Sequence, residues 1–275
     1  MGGWVAGLST GSFYKVPLID VLESIAQSGF SLLEISSSPA HLDYHNLAAV
    51  KAAAHAMRSI GLTSVSFHAP FGRDIDISSP DERQREHSVR EMLVSAQAAA
   101  VLGVDYLVVH PGGTAEGRAA AREYHLRMEN AVTALTRIAR TCADLGIRLL
   151  LENMLPHLRL GQTRDILRLL PSLGIHHAGI CFDTGHAYLS GDVYSSLPKV
   201  SDHLSLVHLN DNRGRGDDHL PPGEGSIDWK KFLCILAKIS YRGPLILELS
   251  DDSTNRSEKI LARASDARRL LKLGQ

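Results

Sequence analysis

Eight short aliphatic runs, each followed by a longer stretch of different periodicity, limit what this chain can fold into. They are "WVAGLS", "SLLEIS", "TSVSFH", "DYLVVH", "IRLLLE", "AGICFD", "LSLVHL" and "PLILEL". Being apolar almost throughout instead of alternating, they match strands covered on both faces. Between them, apolar positions recur every three or four residues: Pro17 to Ser28, Asn46 to Ile60, Asp81 to Leu102, Ala119 to Leu145, Thr163 to Leu170, Asp228 to Ile239 and Glu258 to Leu273. Caps or acidic first turns open some of these helices, as in "SSPDERQ" and "SIDW", and Gly29, Gly61, Gly103 and Gly146 close others. Eight strand-then-helix repeats in 275 residues predict an α/β fold, a parallel (β/α)8 TIM barrel. A doubly wound open sheet is the alternative, weakened because no GxGxxG or GxxxxGK[ST] pattern follows the first run.

No Pro/Gly/Ser-rich linker divides the chain, so residues 1–275 are expected to form one domain, and 44% apolar content supplies a large core. A net charge of -1 gives no electrostatic reason to expect a polyanion, although a local basic patch can hide in a neutral total. Cys142, Cys181 and Cys234 are far apart, odd in number and set among apolar neighbours, which predicts reduced core thiols. The N-terminus has no leader pattern, and no apolar run nears the roughly 20 residues of a membrane span. A cytoplasmic protein without a membrane partner is the expectation.

The runs end on chemistry. The third stops at His68, the fourth at His110, the fifth at Glu152, the sixth at Asp183, the seventh at His208 and the eighth at Glu248. In a parallel barrel all strands end on one face, where active sites of this fold sit. A single strand-end carboxylate is more often a cap or a solvated group. Glu152 and Glu248 differ because "RLLLE" and "LILE" would bury them, and a buried carboxylate without a partner is costly. His186 follows Asp183 by three residues in a Gly-containing turn, and Asp217 and His219 lie on a polar loop able to fold over the same mouth. Gly223 and Gly225 in "PPGEGSIDW" offer backbone to an anionic substrate. The histidines at His41, His45, His55, His87, His125, His157, His176, His177 and His203 fall on presumed helices or loops and are read mostly as surface or packing residues. His41 and His45 are set apart because their loop follows the second strand.

The motifs "SFHAPFG", "VVHPGG", "LLLENM", "CFDTGHAYLSGD", "VHLND", "DDHLPPGEGSIDW" and "LILEL" together resemble the xylose-isomerase-like TIM barrels, which include sugar (phosphate) isomerases and epimerases and the endonuclease IV family. The resemblance spans nearly the whole chain. In the isomerase and epimerase branch it implies one divalent metal on Glu152, Asp183, His208 and Glu248, with His186 near the substrate. In the endonuclease branch it implies three zinc ions and adds His68, His110, His186, Asp217 and His219. All nine residues are present.

The preferred expectation is a metal-dependent isomerase or epimerase of a small sugar, polyol or sugar phosphate. The metal (Mn, Co or Zn) would polarise a carbonyl while Glu152 and Glu248 remove and return a proton through an enediolate. His186 would orient a hydroxyl; Arg213 or Arg215 and the Gly223–Gly225 loop would hold a phosphate or another anionic end. The loop "SSSPAHLDYHN" has no basic residue to grip a DNA backbone, and Phe71 fits either a DNA wedge or a sugar-pocket wall. The alternatives are a zinc-dependent phosphodiesterase for abasic DNA, the only case with a nucleic-acid partner, and a non-catalytic metal or carbohydrate binder.

Overall fold

The computed structural model describes residues 3–114, 117, 120–173, 178–250 and 257–274. His176, His177 and the expected helix start at Ala119 lie outside them. Eight strands, β1 (Ala6–Ser9), β2 (Leu32–Ser36), β3 (Thr63–His68), β4 (Tyr106–Val109), β5 (Arg148–Glu152), β6 (Ala178–Asp183), β7 (Leu204–Leu209) and β8 (Leu245–Leu247), form a closed barrel in sequence order. All neighbours are parallel, and β1 pairs with β8. The open-sheet alternative is thereby removed.

The outer helices are α1 (Leu18–Gln27), α2 (Leu47–Ser59), α3 (Glu82–Leu102), α4 (Ala121–Asp144), α5 (Thr163–Leu173), α6 (Thr184–Leu189), α7 (Val193–Ser196), α8 (Trp229–Lys238) and α9 (Ser257–Leu271). Their starts follow local chemistry. Asn46 accepts from the Ala48 and Ala49 amides, Asp81 from Arg83 and Asp228 from Lys231, satisfying donors that have no partner inside the helix. Gly103 ends α3 in the left-handed conformation, φ 77°. The connection from β6 to β7 departs from expectation: α6, α7 and a 3-10 segment at Leu197–His203 replace a loop. Asp183 caps α6 through the His186 amide, so the presumed turn is a helix start. α5 runs past Leu170 to Leu173, with Pro171 in its last turn.

Two strands stop earlier than predicted, β4 at Val109 and β8 at Leu247, leaving His110 and Glu248 one residue beyond. The ladder still guides Glu248, whose amide donates to Leu209 at 3.1 Å. Cys142 and Cys181 are buried, but Cys234 is exposed, correcting its assignment as a core thiol. On α8 it is Phe232 and Leu236 that are buried, and the position midway between them turns outward.

Inside the barrel, Val65 joins a separate apolar cluster whose other members are Val108, Leu150, Cys181, Leu206 and Ile246. Each of these others lies two residues before a polar one, respectively His110, Glu152, Asp183, His208 and Glu248. A period of two puts both members of each pair on the inner face, one layer apart. The mouth therefore has a dry floor, where charges interact more strongly than in water. Among the described residues, no helix is long and apolar enough to cross a membrane.

Candidate metal centre

Glu152 is the hub of the mouth. It is 1% exposed, its Oε2 accepts from His68 Nε2 at 3.1 Å and His110 Nε2 at 3.0 Å, and its Oε1 accepts from His208 Nδ1 at 3.0 Å. Three imidazoles, from β3, from the residue after β4 and from β7, thus meet the buried charge that the aliphatic run in β5 makes costly. His208 Nδ1 also lies 3.2 Å from Glu248 Oε2. That contact lacks hydrogen-bond geometry, leaving this buried Glu248 oxygen without a hydrogen bond.

The charges follow from these contacts. Burial works against the ionised form of Glu152, yet His208 and His110 hold it well below the usual carboxylate range. Glu248, also opposed by burial, is drawn down to about 2 by His208. His68 is raised to about 9 because the Glu152 hydrogen bond and charge outweigh burial. Burial dominates at His110, which is lowered, and at Asp183, which is raised to about 6.

A second cluster closes from the β7–α8 loop. His186 Nε2 and His219 Nε2 approach Asp217 Oδ2 at 3.4 and 3.2 Å. His219 is held in the left-handed region, φ 44°, with Nδ1 donating to the Glu248 carbonyl. A non-glycine residue in this region costs about 1–3 kcal/mol, so the surrounding contacts must hold it there. Asp211 anchors the base of the loop. Its buried carboxylate accepts from the amides of Gly223, Ser226 and Ile227 and from Trp229 Nε1. This corrects the reading of Gly223 and Gly225. The Gly223 amide serves Asp211, and a Cβ on Gly225 would sit 2.2 Å from Asp211 Oδ1, so the segment wraps a carboxylate of this chain instead of meeting an anionic substrate.

The donors fall into adjoining sets whose ligand atoms lie within 4.8 Å of one another: His68, His110 and Glu152; Glu152, Asp183, His208 and Glu248; and His186, Asp217 and His219. Mixed carboxylate and imidazole donors of this kind suit Zn, Mn or Co. The converging carboxylates and the unbonded Glu248 oxygen fit a divalent cation.

Glu34 was not anticipated. Buried on β2, it accepts from His208 Nε2 at 2.9 Å and from Ser66 Oγ at 2.8 Å. It therefore orients the ring and leaves Nδ1 facing Glu152 and Glu248. Its signal was the acid in the middle of "SLLEIS". Asn153 and Asn210 were also missed: Asn153 exchanges hydrogen bonds with the Asp183 backbone, and Asn210 Nδ2 donates to Asp183 Oδ2.

Two lobes open at the mouth. One of 210 Å³ is lined by His68, Phe71, His110, Glu152, Met154, Leu155, Leu158, His186, Asp217, His219 and Glu248. The other, of 380 Å³, is lined by Ser9, Gly11, Tyr14, Ser36, Ser37, Ser38 and Pro39 and shares His68, Phe71 and Glu248 with the first. Neither wall contains Lys or Arg among the described residues. Arg213 and Arg215 are exposed and line neither lobe, so the phosphate-holding role expected of them has no place there. His41 is buried against the Val16 carbonyl and His45 pairs with Glu91, both away from the lobes.

Residues 22–272 match the family described as xylose isomerase-like TIM barrel. An uncharacterized protein of Methanocaldococcus jannaschii is 30% identical over 249 residues, covering 88% of this chain and 82% of its own. A probable endonuclease 4 of Methanoculleus marisnigri is 32% identical over 217 residues, covering 72% and 74%. The crystal structure of a D-tagatose 3-epimerase-like protein superimposes with a TM-score of 0.82 at 25% identity, covering 99% of this chain and 98% of that one.

Proposed function

Because this chain belongs to the xylose isomerase-like TIM barrel family, we propose that it is a divalent-metal-dependent isomerase or epimerase of a small, uncharged sugar or polyol. One observation carries this: oxygens of Glu152 and Glu248 lie within 4.8 Å of each other, on the wall of a 210 Å³ lobe that has no Lys or Arg among the described residues. Proton transfer beside a carbonyl needs two positioned carboxylates and little else. A phosphate or a DNA backbone would want cations that the described residues of these walls do not supply.

Glu248, ionised and with an oxygen free of hydrogen bonds, takes the proton from the substrate carbon. Glu152, hydrogen-bonded to the protonated His68, relays a proton from that ring to the neighbouring carbon or the other face, and Glu248 afterwards releases its own proton to solvent, from which His68 is reprotonated. When bound, a divalent ion on Glu152, Asp183, His208 and Glu248 would polarise the carbonyl and stabilise the enediolate charge. His186 orients a substrate hydroxyl, and Phe71 with Met154, Leu155 and Leu158 limits water.

The second reading, hydrolysis of abasic DNA, is favoured by the additional His186, Asp217 and His219 set and by the endonuclease 4 relative. Two assays separate them. The metal-loaded protein is expected to exchange carbon-bound hydrogen of a ketose with deuterated water, and Glu152→Gln to stop this. Nicking of a duplex with one abasic site, without such exchange, would overturn the isomerase proposal in favour of the hydrolase.

A further inference from the structure

The lobe that holds Glu152 is small. At 210 Å³ it falls below the roughly 300–1,000 Å³ of usual small-molecule sites, and it has room for about seven waters, close to one sugar ring. The adjoining 380 Å³ lobe is nearly twice as large and shares His68, Phe71 and Glu248 with it. Any substrate held between Glu152 and Glu248 therefore has a second compartment next to its reacting carbons.

The walls of that compartment state what it takes. Ser36, Ser37 and Ser38 continue from the end of β2, opposite Ser9 and Tyr14. Hydroxyls both donate and accept, so they suit partners that do the same. Ser38 Oγ already donates to the Tyr14 carbonyl and keeps its lone pairs for an incoming O–H. With no Lys or Arg in the wall among the described residues and the Glu248 carboxylate at its inner edge, an anionic group here would meet repulsion from that carboxylate. Phe71, 40% exposed and set edge-on to His110 at 4.3 Å between ring centroids, stands at the boundary and offers each lobe an apolar face.

We propose, resting on the isomerase or epimerase reading, that the substrate is a neutral glycosyl sugar. Its reacting unit sits at Glu152 and Glu248, and its second sugar sits among Ser36, Ser37, Ser38 and Tyr14. Phe71 and Ser38 then determine specificity. A free monosaccharide would leave the serine lobe filled with water and use only part of the available binding energy, which costs turnover as well as affinity.

The test uses full-length, metal-loaded protein and matched probes: fructose, and its glucosyl derivatives maltulose, leucrose and isomaltulose. For binding alone the same protein is stripped of metal, which stops turnover, and at least one glucosyl ketose is expected to bind about tenfold more tightly than fructose. Equal binding of all four overturns the proposal whether or not turnover is seen. In the wild-type protein, deuterium exchange at carbon 3 is expected to favour that same disaccharide by a similar factor in kcat/KM. Ser38→Trp, which fills the lobe, is expected to bring the disaccharide-to-monosaccharide ratio near one, and Ser38→Ala, which removes one hydroxyl, to lower it part of the way, with metal content and melting midpoint of both variants as the check against misfolding. A ratio that survives Ser38→Trp overturns the assignment of this lobe. Preferential disaccharide binding without any exchange supports the subsite while overturning the isomerase reading on which it was built.

Discussion

At the lower end of the barrel Arg148 donates to the Ala178 carbonyl at 2.7 Å and to Ser205 Oγ at 3.2 Å. There too Tyr241 Oη donates to the Pro244 carbonyl at 2.8 Å and Trp4 Nε1 to the Tyr241 carbonyl at 2.9 Å. These polar groups serve backbone and one another, and they seal the strand starts. At the upper end the groups are of another kind. Carboxylates crowd together, imidazoles carry protons they would not hold in water, and Glu34 and Glu248 each keep a buried oxygen with no hydrogen bond. Both ends bury polarity beside the same apolar plug, so burial alone does not mark the functional end. What separates them is charge: at the lower end the buried groups bond to backbone and hydroxyls, whereas at the upper end carboxylates and imidazoles converge and two carboxylate oxygens are left for a ligand.

The contrast can be tested from its largest consequence downward. Glu152→Gln is expected to abolish exchange activity by at least about a thousandfold and to remove metal from both sets that share this residue. Metal analysis showing full occupancy in that variant would break the assignment of Glu152 as a shared ligand. Chelation should lower the melting midpoint by roughly 10 °C, because an ion present at about 1,000 times its Kd adds ~4 kcal/mol of stability. A midpoint indifferent to chelator would mean that the upper end is complete without a cation.

The pH response sharpens the same point. In metal-free protein His68 and His219 titrate near 9 and 10, raised above their ordinary value by carboxylates in spite of burial. Their contribution to stability is complete below the unfolded value of about 6.5 and is lost as pH rises through 9 to 10. Metal binding requires the deprotonated rings, so the difference in melting midpoint between metal-loaded and metal-free protein should widen from pH 6 to 9. A difference that narrows over this range contradicts the ligand set.

Glu34→Gln is expected to weaken metal affinity by about 10- to 100-fold with the fold retained, measured by competition with a chromogenic chelator. Unchanged affinity would leave Glu34 without a role in orienting His208. At the lower end Tyr241→Phe should cost about 1 kcal/mol in denaturant unfolding and leave metal content unchanged. Metal loss there would show that the two ends are coupled and weaken the comparison.

Much of this was legible in the residues. Near-continuous aliphatic runs predicted strands covered on both faces, and their count and alternation with helices predicted closure of the barrel. Six polar strand ends pointed to the mouth because parallel strands share a direction. The exceptions have local causes. Cys234 looked like core because its neighbours are apolar, but the helical period turns it outward, and the segment from Asp183 to His186 looked like a turn because the capping bond is made only once α6 forms.

The sequence by itself indicated which side chains face inward on most strands, since parity follows position along the chain except where a register shift interrupts it, as at Leu33/Glu34 and Ile180/Cys181. That is why His110, Glu152, Asp183, His208 and Glu248 stack in register above Val108, Leu150, Cys181, Leu206 and Ile246. Only the tertiary structure decided who meets whom. Closing the sheet sets the stagger between strands, and this stagger brings Glu34 of β2 to His208 of β7 across 174 residues. Folding of the β7–α8 loop around Asp211 delivers Asp217 and His219 to the rim, while Arg213 and Arg215 remain outside. Distances of a few ångströms between remote residues depend on barrel geometry, which no local pattern encodes.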